Sequence, residues 1–462
     1  MRRTNGRARG RAFAGVLLAA SVVAGPAVAP AAAGDSIRDD QWHLDAMHAP
    51  EMWKTSTGQG ITVAVIDGGF KFDHPDLVGQ LLPGNDFSDT SGGVGVDVTG
   101  HGTQMASLIA GTGKGMGGKG AYGLAPGAKV LPVKIKNHSE GGAVTSKVFL
   151  DQIGQAVDYA VDQGAKVINI SQGMAAVATS PDDVAKLNGV LARAAAKGSL
   201  VVASVGNSAQ DGNLVEYPGG LPYVVGVGAA DKDLTTTAES QRGPQVDLVA
   251  PGMDIVDACT GPTGYCKGHG TSAATALVSA SAALVWAVHT DWTANQVLRV
   301  LISTAGKPTD GSNRNDSVGY GAVRPRIALT APGDPGPADV YPIPSKVAPL
   351  PSASPSSAAP SASATSPAAV PAAPTNGSSP AAAPIADKAS DSGSAMLPIV
   401  IAGVVGLVLV AGVVFFVARK RRAADRLAEF AQPVPPQVGP AVPPPPPSYE
   451  PPMPPGDNPY AR

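Results

Sequence analysis

The chain has 462 residues, and its 34 Lys and Arg against 36 Asp and Glu leave a net charge of −2. That balance produces no global field for nucleic acid or for acidic substrates. Hydrophobic residues make up 44%, enough to bury a sizeable core, while the 44 prolines gather late in the chain.

Residues 1–33 read as an export signal. Arg2, Arg3, Arg7, Arg9 and Arg11 form a basic leader and 13–24 an apolar stretch. Ala27-Val28-Ala29 and Ala31-Ala32-Ala33 both offer small-residue cleavage sites. Strand and helix patterns then alternate. The β-branched run 61–66 predicts a buried parallel strand delivering Asp67 at its carboxyl end, where open α/β sheets place their sites. Thr99-Gly100-His101-Gly102-Thr103 opens a helix over 101–110 and presents His101 at its start. A strand over 130–135 follows, then a helix over 145–162 with Val148, Ile153, Val157 and Ala160 at helical spacing, then a strand over 167–170. Ser180-Pro181-Asp182-Asp183 combines an N-cap Ser, a Pro in the first position and acids in the first turn. Val184, Leu187, Leu191 and Ala194 form the inner face of that helix, and Gly198 ends it. The strand over 200–205 runs into Gly206-Asn207, which makes Asn207 a candidate side-chain donor to an oxyanion. This alternation implies an α/β fold, a parallel sheet with helices on both faces.

Gly268-His269-Gly270-Thr271-Ser272 precedes an apolar run over 273–288 that lacks Gly and Pro and suits a buried helix. Ser272 then lies at a helix N-terminus, where free N–H groups favour developing negative charge. Taken alone, Gly-Thr-Ser is more often a helix cap than a nucleophile. The order Asp67, His101, Ser272 changes that reading, because it is the order of a subtilisin Asp-His-Ser triad. Cys259 and Cys266 flank Gly261-Pro262 and Thr263-Gly264, good turn chemistry. After export they are expected as a disulfide, and in a reducing compartment as two thiols. Two cysteines cannot make a structural zinc site, and no metal or cofactor is expected.

From 331 to 394, Pro, Ala and Ser dominate without periodicity, which predicts a disordered spacer. Residues 395–418 carry no charge and make about 36 Å of helix, enough to cross a ~30 Å hydrocarbon core. Arg419-Lys420-Arg421-Arg422 follows, so the C-terminus is placed in the cytosol and the folded region outside. The Pro-rich stretch within 419–462 reads as a cytoplasmic tail.

Further stretches carry a family resemblance. They are His74-Pro75-Asp76-Leu77, Gly123-Leu124-Ala125-Pro126, Asn169-Ile170-Ser171-Gln172-Gly173, Ala250-Pro251-Gly252 and Gly319-Tyr320-Gly321. With the triad candidates, in this order, they resemble the subtilisin-type serine proteases over residues 41–329. Gln41-Trp42-His43-Leu44-Asp45-Ala46 resembles the N-terminal extension of the mycosins, membrane-anchored subtilases associated with type VII secretion. The resemblance implies a protease domain over 34–330, a serine endopeptidase acting on protein or peptide substrates, and membrane components of a type VII system as partners. It makes Ser272 the nucleophile, His101 the general base, Asp67 its orienting acid and Asn207 an oxyanion donor. Ser171, Gln172 and Gly173 become the edge that pairs with substrate. Those residues, with Ser204 and Gly206, wall a pocket whose floor is near Glu216. Glu216 either faces that pocket, favouring Lys or Arg before the scissile bond, or turns to solvent or to Lys232 or Arg242. The chain departs from the pattern at Gly68, usually Thr or Ser, at Ala273, usually Met or Phe, and at Ala276, usually Pro. Gly68 deletes a hydroxyl beside Asp67. Activity is still expected, with a mainly structural role in the secretion complex as the alternative.

Overall fold

The computed structural model describes residues 36–136 and 144–347. The expected export signal, the membrane span, the tail and the spacer beyond 347 lie outside the described residues.

A seven-stranded sheet is built from β1 (Thr62–Asp67), β2 (Asn85–Asp86), β3 (Lys129–Lys134), β4 (Val167–Ile170), β6 (Leu200–Ser204), β8 (Val224–Ala230) and β9 (Leu248–Pro251). The order across it is β2-β3-β1-β4-β6-β8-β9, and every neighbouring pair is parallel. Two antiparallel ribbons stand apart: β5 (Met174–Ala175) with β7 (Glu216–Tyr217), and β10 (Ile255–Ala258) with β11 (Tyr265–Gly268). The helices are α1 (Trp42–Ala46), α2 (Ala49–Met52), α3 (His101–Ala110), the broken turn α4 (Gly115–Gly118), α5 (Ser146–Asp162), α6 (Pro181–Ala196), α7 (Thr271–Val288), α8 (Ala294–Ser303) and α9 (Pro325–Thr330).

Both faces of the sheet are covered, so its central strands bury consecutive residues rather than alternate ones. In β1, Val63 and Val65 face the α3 and α7 side, with Leu108, Leu277, Leu284 and Trp286. Ala64 and Ile66 face the α5 and α6 side, with Phe149, Ile153, Leu187 and Leu191. α7 is wrapped on all sides, which explains why it is apolar all round. Among the described residues it is the helix long and apolar enough to cross a membrane, and that stretch is 83% buried in the domain. The expected elements are present with small shifts. Thr145 is the cap of α5 rather than its first residue, and Val148 in the first turn is exposed while Phe149 is buried.

The packed chain runs past the boundary expected at residue 330, a correction to the spacer reading. Arg299 donates to the carbonyls of Pro335, Pro337 and Val340, and Ile343 is buried. Lys346 ends inside the core. Its Nζ donates to the carbonyls of Gly219 (2.9 Å), Val224 (3.2 Å) and Gln245 (3.4 Å) and lies 3.3 Å from Asp247. Composition missed this because the groups being held are backbone carbonyls, which composition does not count.

Candidate active site

Asp67 ends β1 and is fully buried. His101 is the first residue of α3, on the neighbouring turn. His101 Nδ1 lies 2.9 and 2.8 Å from the two Asp67 carboxylate oxygens. A neutral imidazole paired in this way donates its Nδ1 proton to the acid and leaves Nε2 free as a base. Burial opposes protonation of His101, but the charge of Asp67, its hydrogen bond, and the more distant Asp97 and Asp257 outweigh it, so its pKa lies above the ordinary histidine value.

Two further groups fix this pair: Asp97, which was not singled out from the sequence, and Gln172, which was expected only as part of the edge that pairs with substrate. The cap position of α3 is Gly100, which has no side chain to offer. Asp97 caps instead, accepting from the N–H groups of Gly100 (2.8 Å) and Thr103 (3.0 Å) and from the Thr103 hydroxyl. The acid a few residues ahead of a Gly-His-Gly helix start was the available signal. The second group is Gln172. Its Nε2 donates to Asp67 Oδ1 at 3.0 Å, beside the Gly68 N–H at 2.7 Å. Gln172 thus supplies a donor next to Asp67, where Gly68 has no hydroxyl to give. Asp257, almost fully buried, is a further acid near His101, and burial pushes its carboxyl up to about 8.

Ser272 occupies the first turn of α7, whose cap is Gly270. Ser272 Oγ donates to the Ser171 carbonyl at 3.2 Å and makes no hydrogen bond to His101 among the described residues. Catalytic hydrogen bonds of this kind are often long before substrate binds. The Ser272 turn is tied down from β4: Ser171 Oγ donates to the Ser272 carbonyl, Asn169 donates to Ser171, and Ser279 in α7 donates to Asn169. Asn207 follows β6 and accepts through Oδ1 from the Thr271 N–H (2.8 Å) and hydroxyl (3.0 Å). Its Nδ2 is left as a donor. A Cβ at position 270 would stand 3.1 Å from that nitrogen, and φ there is +131°, so glycine is what lets the two segments approach.

These residues share a cavity of about 380 Å³, lined by His101, Ser272, Asn207, Ser171, Gln172, Gly173, Ser204, Gly206 and Glu216. The sequence-nominated pocket residues are therefore all brought together. Glu216 does not pair with Lys232 or Arg242. Its Oε1 accepts from Ser208 Oγ and Gln241 Nε2, each at 3.0 Å. Burial raises its pKa, with those two hydrogen bonds opposing. Cys259 and Cys266 are bonded to each other across the β10–β11 hairpin that leads into the Ser272 turn. No group of three or more His, Cys, Asp or Glu fit to hold a metal occurs among the described residues.

A family model described as "Subtilase family" matches residues 58–322. The chain is 34% identical over 248 residues to an intracellular serine protease of Paenibacillus polymyxa, covering 52% of this chain and 71% of that one. It is 33% identical over 269 residues to Subtilisin Savinase of Lederbergia lenta, covering 57% and 90%. Among solved structures, MycP1 from Mycobacterium smegmatis matches at 25% identity and a TM-score of 0.57, covering 69% of this chain and 89% of that one. The MycP3 protease from the type VII (ESX-3) secretion system matches at 31% identity and a TM-score of 0.54, covering 63% and 88%. With the family model spanning more than half of the sequence, the chain belongs to the subtilase family and is a serine endopeptidase.

Proposed function

We propose that Ser272, His101 and Asp67 form the catalytic triad of this endopeptidase, with Asn207 Nδ2 and the Ser272 N–H as the oxyanion hole. The observation that carries this is the two-oxygen contact of Asp67 with His101 Nδ1 in the cavity that also holds Ser272. His101 Nε2 takes the Ser272 proton as Oγ attacks the substrate carbonyl, and Asp67 holds the ring and steadies the imidazolium. The carbonyl oxygen gains negative charge and is met by Asn207 Nδ2 and the helix N-terminus. His101 then passes its proton to the leaving amine, and water attacks the acyl-enzyme by the same route. Residues 171–173 pair with the substrate backbone.

The reading extends to the whole chain. An export signal over 1–33 and a span over 395–418 anchor the domain outside the membrane, with the tail over 419–462 in the cytosol. Its setting is a type VII secretion system, supported by similarity to the serine protease MycP1, an essential component of the type VII (ESX-1) secretion system, at 29% identity and a TM-score of 0.54.

An active-site-directed fluorophosphonate should label Ser272, and a folded protein that resists labelling would sink the triad. Secreted proteins from wild-type, Ser272→Ala and deletion strains test the setting. Loss in both mutants assigns the role to proteolysis. Normal secretion with Ser272→Ala, and failure on deletion, assigns it to scaffolding. Normal secretion in both removes the link to the machine.

A further inference from the structure

Glu216 places a carboxylate among the walls of the cavity that holds the nucleophile. It is carried on β7, and the ladder with β5 sets it opposite Ala175, two residues beyond Gly173. The side chain lies between two stretches of backbone. A Cβ on Gly173 would stand 2.6 Å from Oε2, and a Cβ on Gly206 would stand 2.6 Å from Oε1. Glycine at both positions leaves the carboxylate room in this place, and a φ of +108° at Gly206 favours glycine there in its own right.

The carboxylate lacks a counter-charge. Oε1 is taken by Ser208 and Gln241, while Oε2 receives no hydrogen bond and no ion pair among the described residues. Gln241, which holds Glu216, itself has a buried Oε1 without a partner. The floor therefore carries more acceptors than donors. A partly buried anion in that position is costly until a cation reaches it.

We infer that Glu216 is the specificity determinant of this site, and that it selects Lys or Arg in the residue whose carbonyl Ser272 attacks, the P1 residue. This rests on the protease reading given above. A Lys ammonium or Arg guanidinium brings donors and a positive charge to Oε2 and relieves the unpaired acid. An acidic P1 side chain meets a like charge. A large apolar one strips water from the carboxylate and returns nothing, so it is rejected as well.

The test profiles the full-length protein on peptides that differ only in P1 (Arg, Lys, Gln, Leu or Glu), beside Glu216→Gln. Wild type should cleave after Arg and Lys in preference to Gln, and the substitution should lower that ratio in kcat/KM by about tenfold or more. A wild-type profile led by Leu or Gln, or the same ratio in both proteins, overturns the assignment. Peptide aldehydes ending in argininal or leucinal make the comparison on wild type alone, so the result does not depend on the variant folding. The argininal should inhibit at a concentration lower by about tenfold or more, and equal potency overturns the assignment. Fluorophosphonate labelling separates the two levels. Labelled protein without a basic preference refutes the role of Glu216 only. Folded protein that is not labelled refutes the protease reading and this inference with it.

Discussion

His43 makes the domain labile to acid. It sits in α1, fully buried, and neither ring nitrogen has a partner. Burial first, and then the charge of Arg38, hold its pKa down to about 3, against 6.5 for a free histidine. Between those two pH values the unfolded chain binds a proton that the folded chain refuses. Stability is therefore full above pH 6.5, falls as pH drops below it, and levels off near pH 3. At about 1.4 kcal/mol per unit, the full loss approaches ~5 kcal/mol, with ~3 kcal/mol reached by pH 4. His43→Leu removes the titration and fills the same apolar space. Urea unfolding followed by tryptophan fluorescence, at pH 7 and at pH 4, measures the effect. Carboxylates add acid sensitivity to both proteins, so the readout is the difference between them. Wild type should lose about 3 kcal/mol more than His43→Leu over that interval. Equal losses, within about 0.5 kcal/mol, would refute the reasoning and mean that the ring is hydrated or partnered in solution.

The remaining expectations concern the site and its supports. Gln172→Leu should lower kcat by about tenfold with KM little changed, because it removes a hydrogen bond to a charged group that orients His101; steady-state kinetics decide. The acid limb of kcat/KM should have its midpoint above 6.5, because the base proposed for the reaction is neutral His101, whose pKa is raised; a pH–rate profile with a lower midpoint contradicts the Asp67 pairing. Lys346→Met should cost about 3–5 kcal/mol of unfolding free energy, since it strands the buried Asp247 and three carbonyls, and Asp247→Asn in the same chain should recover part of it. Replacing Cys259 and Cys266 together by Ala should cost about 2–3 kcal/mol, measured by the same denaturation under non-reducing conditions.

Much of this protein was legible in local pattern. The β-branched runs, the Ser180-Pro181 cap and the Gly-flanked Ser272 and His101 each specify a strand or a helix start within a few residues, and alternation of those elements dictates a parallel sheet with two covered faces. The same pattern put Asp67 at a strand end and Ser272 at a helix start, the two places where such a sheet exposes chemistry. What the sequence could not tell is which distant groups meet there. Gln172 reaches Asp67 across 105 positions. Lys346 seeks carbonyls more than 100 positions away. His43 is buried without a partner by packing that no local window contains. The choice for Glu216, left open between pocket, solvent and ion pair, was decided by the β5–β7 ladder and by two glycine walls separated by 33 positions of chain. Local order follows from propensity and periodicity over neighbouring residues. Hydrogen-bond partners and unpaired charges follow from loop closure over long separations, and that belongs to the tertiary structure alone.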